Sequence, residues 1–166
     1  MPRRKVKIFV SYARANKKLS RRFIDKFREM VAASRRFEYV FWQDNEILVG
    51  ENWHAEIQAA LDRCDLGMVL ISPAFLGSKY ITEDELPKFV GNGAKPLIPV
   101  MLQPVDFEYH DLKGLHEAQI FMLDTPNLQA PKAYGQCSNK QRYQFVMDLF
   151  RQLEKRLEKL FETVQL

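Results

Sequence analysis

The chain has 166 residues, with 46% apolar and 28% charged side chains, a composition that suits one folded domain and excludes wholesale disorder. No apolar run reaches the roughly 18 residues of a membrane span. The N-terminal segment MPRRKVKIFVSYARANKK also lacks the apolar stretch of a secretory leader. The net charge of +4 is uneven: residues 1–36 hold 13 basic and two acidic side chains, and the remainder is acidic. That asymmetry gives either a solvated basic helix face or a surface for an acidic protein or nucleic acid.

Cys64 and Cys137 form neither a disulfide framework nor, with His54, His110 and His116, a metal spacing. The expected setting is cytoplasmic, with reduced thiols. No common nucleic-acid motif is present, and no aromatics interleave with the basic residues, so nucleic-acid binding by this domain alone is not expected.

The elements alternate along the chain. Val6–Ser11 (VKIFVS) reads as a first strand. Leu19, Phe23, Phe27, Met30 and Val31 recur at helical spacing and predict a helix over about 17–33. Tyr39–Trp42 is a second short strand, followed by the polar, glycine-containing loop Gln43–Asn52. Trp53, Ile57, Ala60 and Leu61 mark a second helix. Leu66–Ser72 is a continuous apolar run, the mark of a strand covered on both faces. Leu86, Phe89 and Val90 suggest a short helix, with Thr82 as a candidate N-cap and Pro87 in its first turn. Leu97–Leu102 is a fourth strand whose Pro99 points to an edge or an irregularity. Residues 119–123 give a fifth, and a long helix over about 139–163 ends the chain. Its predicted stripe is Tyr143, Val146, Met147, Phe150, Leu153, Leu157, Leu160 and Phe161.

This order predicts an α/β fold of three layers, flavodoxin-like, with a five-stranded parallel sheet of order 2-1-3-4-5. Right-handed crossovers place ligands at the carboxyl ends of the strands, so the loops after Ser11, Trp42 and Ser72 should border any pocket. GxGxxG, GxxxxGK[ST] and GxSxG are all absent, which disfavours dinucleotide dehydrogenases, P-loop NTPases and nucleophile-elbow hydrolases. A phosphoacceptor receiver domain is rejected because the first and third strands end in Ser11-Tyr12 and Ser72-Pro73 rather than in acids. Glu83, Asp84 and Glu85 are either acids complementing a helix N-terminus or functional carboxylates. Trp42 ends an apolar strand and reads as packing, whereas Trp53 suits core or site equally. Arg14 is a surface arginine at a helix entry or a charge-assisted donor to a pyrophosphate.

Lys7-Ile8-Phe9-Val10-Ser11-Tyr12, the segment from Phe41-Trp42-Gln43-Asp44 to Gly50-Glu51-Asn52-Trp53, and Val69-Leu70-Ile71-Ser72-Pro73 with Phe75, Ser78 and Tyr80 stand in order at strand ends. Together they resemble the Toll/interleukin-1 receptor (TIR) domain of the microbial, NAD-cleaving type, over about residues 5–123. Ile81 stands where related sequences often carry a cysteine, and Pro87 follows two residues after Glu85. The resemblance implies a single TIR domain over 1–166. It implies Glu85 as the catalytic residue, with Phe9, Ser11, Tyr12, Ala13, Arg14, Asp44, Trp53, Ser72 and Tyr80 toward the substrate.

In activity, the resemblance implies an NAD+ nucleosidase, a hydrolase or cyclase that releases nicotinamide on self-assembly. NAD+ is its substrate, and neither cofactor nor metal is needed. The setting implied is a defence or signalling system, antiviral defence included, with homotypic TIR–TIR contacts through the 43–52 loop, a sensor domain or partner protein elsewhere, and no membrane. The alternative it carries is a non-catalytic TIR–TIR interaction module.

Overall fold

The structure, a computed structural model, describes residues 2–43, 47–91 and 93–164. Four strands, β1 (Arg4–Ser11), β2 (Phe37–Trp42), β3 (Leu66–Ile71) and β4 (Leu97–Met101), pair in parallel in the order β2-β1-β3-β4. Four α-helices join them: α1 (Lys17–Val31), α2 (Trp53–Arg63), the single turn α3 (Pro73–Leu76) and α4 (Asn139–Val164). Ile8 pairs with both Phe41 and Leu66, and Val69 with Pro99, which fixes the register. No described helix is long and apolar enough to cross a membrane.

Alternation along the strands creates the layers. Val6, Ile8 and Val10 of β1 face one core with Phe23 and Phe27 of α1 and Phe145, Leu149 and Leu153 of α4. Phe9 faces the other with Ile57 and Leu61 of α2 and Phe75 of α3. All six residues of β3 are buried, as a strand between two helical layers requires. In α4 the inward stripe is Phe145, Val146, Leu149, Leu153 and Leu157, whereas Tyr143 is exposed. Val146, Leu153 and Leu157 of the expected stripe are buried, and Phe150, Leu160 and Phe161 pack against the same core; Phe145, not among the expected residues, joins them by packing edge-on to Phe23, Phe121 and Tyr134. Leu153 and Leu157 therefore serve this domain's own core. Arg156 Nη1 donates to the Leu97 carbonyl, and Arg36 pairs with Glu158 at 2.7 Å.

The predicted fifth strand over 119–123 is not a strand. It reduces to one parallel bridge, Val100 with Phe121, made by Phe121 N to Pro99 O (2.8 Å) and Met101 N to Phe121 O (2.9 Å). A parallel ladder extended backwards needs the N–H of residue 99 and the carbonyl of Leu97. Pro99 has no N–H, and the Leu97 carbonyl is taken by Arg156. Forwards, Leu123 N turns to Lys132 O and Gln103 N to Ile71 O. The sheet accordingly has four strands, with β4 at its edge.

The segment after α3 differs from the short helix expected at 86–90. Ile81–Glu85 forms a π turn, closed by Leu86 N–H to Ile81 O, and Leu86–Lys88 continues it as a 3-10 turn. Thr82 is not an N-cap: its hydroxyl donates back to the Ser78 carbonyl at 2.9 Å. Pro87 lacks the N–H that a regular helix would use at this point, so the wider turn precedes it.

Gly67 of β3 sits under the Phe89 ring, and a Cβ there would lie 2.5 Å from a ring carbon. Phe89 is itself buried, so its ring must shift within the core to admit the methyl. Gly67→Ala is expected to destabilise the domain by about 1–3 kcal/mol, the range for overpacking a closed core. A urea unfolding curve with an unchanged slope and a lower midpoint checks this.

Candidate active site

The main cleft, of about 450 Å³, opens at the carboxyl end of β1. The loop leaving β1 supplies Tyr12, Ala13 and Arg14; β2 supplies Trp42, α2 Trp53, and the segment after α3 supplies Tyr80 and Glu85. Three strand ends thus feed one cleft, as the topology requires where crossovers diverge from β1.

Each wall has a local cause. Asn52 Oδ1 accepts from Ala55 N at 3.0 Å and caps α2, which puts Trp53 at the first helical position, half-exposed at the mouth. Trp53 lies 4.9 Å from the Tyr80 ring, and the Arg14 guanidinium lies 6.0 Å above the Trp53 ring. The Tyr80 hydroxyl is 3.0 Å from His54 Nδ1. Burial pushes the Tyr80 phenol up from its usual range; a hydrogen bond from Gln58 opposes this, and the charges of Glu85 and Asp84 add to it. Tyr80 therefore stays a neutral phenol near neutral pH. Deeper in, Phe9 and Trp42 stack at 5.1 Å with their planes 15° apart.

Glu85 ends the π turn and faces this cleft with a relative exposure of 8%. Among the described residues it is the one Asp, Glu, Lys or Arg buried to that degree. Taking a carboxylate that far from water costs stability unless its surroundings or its task offset it. Glu83 is exposed and Asp84 half-buried on the same turn, so the three acids are separated by burial as well as by direction.

Of the residues expected toward a substrate, Phe9, Tyr12, Ala13, Arg14, Trp53 and Tyr80 line the cleft. Ser11 and Ser72 do not. Ser72 is spent on structure: its oxygen accepts from Phe75 N at 3.0 Å to cap α3, and its hydroxyl donates to Asn16 Oδ1 at 2.6 Å. Ser11 is buried in the strand ladder against Val69. Asp44 lies outside the described residues. Trp42, read from sequence as packing, is both packing and cleft wall, because its outer face remains free once Phe9 covers the inner one. His54 was not singled out, and its adjacency to Trp53 was the available signal.

In the 43–52 loop, Glu51 Oε1 accepts from Leu48 N at 2.7 Å and Glu51 N donates to Leu48 O at 3.1 Å. This closed turn leaves Leu48 and Val49 exposed, while Ile47 packs back on the domain. Gly50 supplies the positive φ of 90° that the turn needs.

No curated protein matches the chain. The family model described as the TIR domain matches residues 8–134, a span that begins within β1 and holds the other three strands and every wall of the cleft, and the chain belongs to the TIR-domain family.

Proposed function

We propose that this TIR domain cleaves NAD+ at the bond between nicotinamide and ribose, as a hydrolase or cyclase, and that homotypic contact between copies activates it. The observation that carries the reading is Glu85, a buried carboxylate facing a cleft that also offers a cation at Arg14 and aromatic faces at Trp53 and Tyr80. A dinucleotide has a matching set of groups: a pyrophosphate, two rings and a ribose that becomes cationic.

The chemistry suits a single carboxylate. Nicotinamide in NAD+ is a cationic pyridinium; when its bond to C1′ breaks, the electron pair leaves with the ring nitrogen and the product is neutral. No general acid is needed, in contrast to alcohol leaving groups, which call for a second carboxyl. The ribose left behind is oxocarbenium-like, and a fixed negative charge in a poorly hydrated cleft stabilises it. Water then adds to C1′ and loses a proton, giving ADP-ribose, or a second nucleophile of the same molecule adds and closes a ring. In this reading Arg14 pairs with the pyrophosphate and Trp53 stacks on an aromatic ring of the substrate.

The domain would act as the effector module of a cytoplasmic defence or signalling system, over 1–166 as one unit. The exposed Leu48 and Val49 equally favour a second reading, a TIR–TIR interaction module without turnover. Incubating the clustered domain with NAD+ and chromatographing the products separates the two. Trp53→Ala is expected to raise KM by about 5- to 150-fold, the worth of one base–aromatic stack, with a smaller change in kcat. Steady-state kinetics check it; an unchanged KM removes Trp53 from the substrate contacts.

A further inference from the structure

The two edges of the sheet are built differently. The β4 edge is closed: Pro99 has no N–H, Arg156 occupies the Leu97 carbonyl, and Phe121 bonds to Pro99 O and Met101 N. The β2 edge carries none of the devices that usually guard an exposed strand. Its six residues include no proline or glycine, and its one charged side chain is Glu38. Its register with β1 runs unbroken from Arg4 with Phe37 to Phe9 with Trp42. Arg4 N donates to Arg36 O at 2.9 Å, and with that register the backbone groups of Phe37, Tyr39 and Phe41 turn outward. Ser34 Oγ accepts from Phe37 N at 3.3 Å. No described residue bonds the backbone N–H or carbonyl of Tyr39 or Phe41.

A cleft lies on each face of this edge, and Val40, 40% exposed, borders both. The cleft on the α1 face, of about 390 Å³, is lined by Val31, Phe41, Arg3 and Arg28, with the Arg28 guanidinium 5.4 Å from the Phe41 ring centre. The cleft on the α2 face, of about 260 Å³, is lined by Trp42, Ala60, Lys7 and Arg63. Each cleft thus combines apolar surface with two cations, and Glu38 is the one acid lining either. None of the four cations is ion-paired with a described residue. The nearby Asp65 is engaged by the backbone, its Oδ2 accepting from Lys7 N at 2.8 Å.

A strand added to this edge sends successive side chains to opposite faces, and so into the two clefts in turn. In that mode main-chain bonds supply affinity and the alternating pockets supply specificity. The charge of both clefts selects carboxylates.

We propose that β2 accepts an acidic, extended segment of a partner protein as an added strand. The segment's backbone pairs with Tyr39 and Phe41, and adjacent carboxylates enter the two clefts, one toward Arg3 and Arg28 and the other toward Lys7 and Arg63. The contact is independent of any chemistry at Glu85.

Fluorescence anisotropy of a labelled octapeptide with the full chain tests it. The probe is built of valine and threonine with two adjacent glutamates at its centre. It is expected to bind, and to bind at least about tenfold more weakly at high salt, where charges are screened. The same peptide with lysines in place of the glutamates binds wild type at least about tenfold more weakly. N-methylation of alternate residues removes the N–H groups along one edge of the peptide strand. Methylation along one edge abolishes binding, and methylation along the other leaves it unchanged. In Arg28→Glu combined with Arg63→Glu the preference reverses and the lysine peptide binds the tighter; should that variant not fold, the wild-type arms decide alone. Equal affinity of the two methylated forms overturns the proposal, since charge alone then holds the peptide. Equal affinity of the glutamate and lysine peptides also overturns it, as does a folded double variant that keeps the wild-type preference. No binding of the glutamate peptide overturns it as well; if the chain then self-associates and loses this in the double variant, the edge serves a second copy instead.

Discussion

Glu85→Ala is expected to abolish nicotinamide release and to leave the domain folded. Removing one preorganised electrostatic group from an active site costs about 10²–10³ in kcat, and here the group is the one charge proposed to face the cationic ribose, so the loss should reach at least the upper figure. The fold should persist, because the backbone bond that closes the π turn, Leu86 N–H to Ile81 O, does not involve the Glu85 side chain. Lost turnover with a cooperative thermal melt retained is the expected pair of results. Turnover retained in Glu85→Ala would move the role to Glu83 or Asp84 on the same turn.

Specific activity should rise more than linearly with protein concentration, and Leu48→Asp should flatten that rise. The 48–51 turn displays Leu48 at 71% exposure and Val49 fully, at the end of a loop that leads from the cleft residue Trp42 toward Trp53. An apolar tip on one copy that docks on another would fix this loop and with it two walls of the cleft. An aspartate in such a contact buries an unpaired charge, which costs about 3–5 kcal/mol, enough to remove assembly over any practical concentration range. The check is initial rate against concentration for both proteins. A flat profile in both means that the isolated copy is competent and that the tip has another role.

How far the sequence carried depended on whether a feature was local. The run Leu66–Ile71 is apolar at every position because β3 is covered on both faces, and that is readable without knowing its neighbours. The stripe Phe23, Phe27, Val31 is likewise a matter of spacing along one helix. The fifth strand failed for a long-range reason. Residues 119–123 have strand composition, but the rung that would extend them needs an N–H that Pro99 lacks and a carbonyl that Arg156 occupies from 59 residues away. Pro99 was visible as an irregularity; the arginine on α4 was not. The site followed the same division. Phe9, Tyr12, Ala13, Arg14, Trp53, Tyr80 and Glu85 sit at or just beyond element ends, where topology points, and they converge on one cleft. Ser11 and Ser72 also end strands, yet the hydroxyl of Ser72 is consumed by Phe75 N and Asn16, a local competition that position alone does not reveal. The π turn at Ile81–Glu85 depends on Pro87 and on Thr82 bonding backwards, so the expected cap and helix start there gave way to a wider turn that aims Glu85 into the cleft.

The central claim is that Glu85 stands at a site of N-glycosidic bond cleavage. The most direct measurement is chromatography of NAD+ after incubation with the wild-type domain clustered on a surface, beside an equal amount of clustered Glu85→Gln, which keeps the size of the side chain and removes its charge. The account predicts nicotinamide from the wild type, matched mole for mole by ADP-ribose or a cyclised isomer, and none above background from the variant. Intact NAD+ in both, with the domain shown to be folded and assembled, would contradict it and leave the interaction module as the function of the fold.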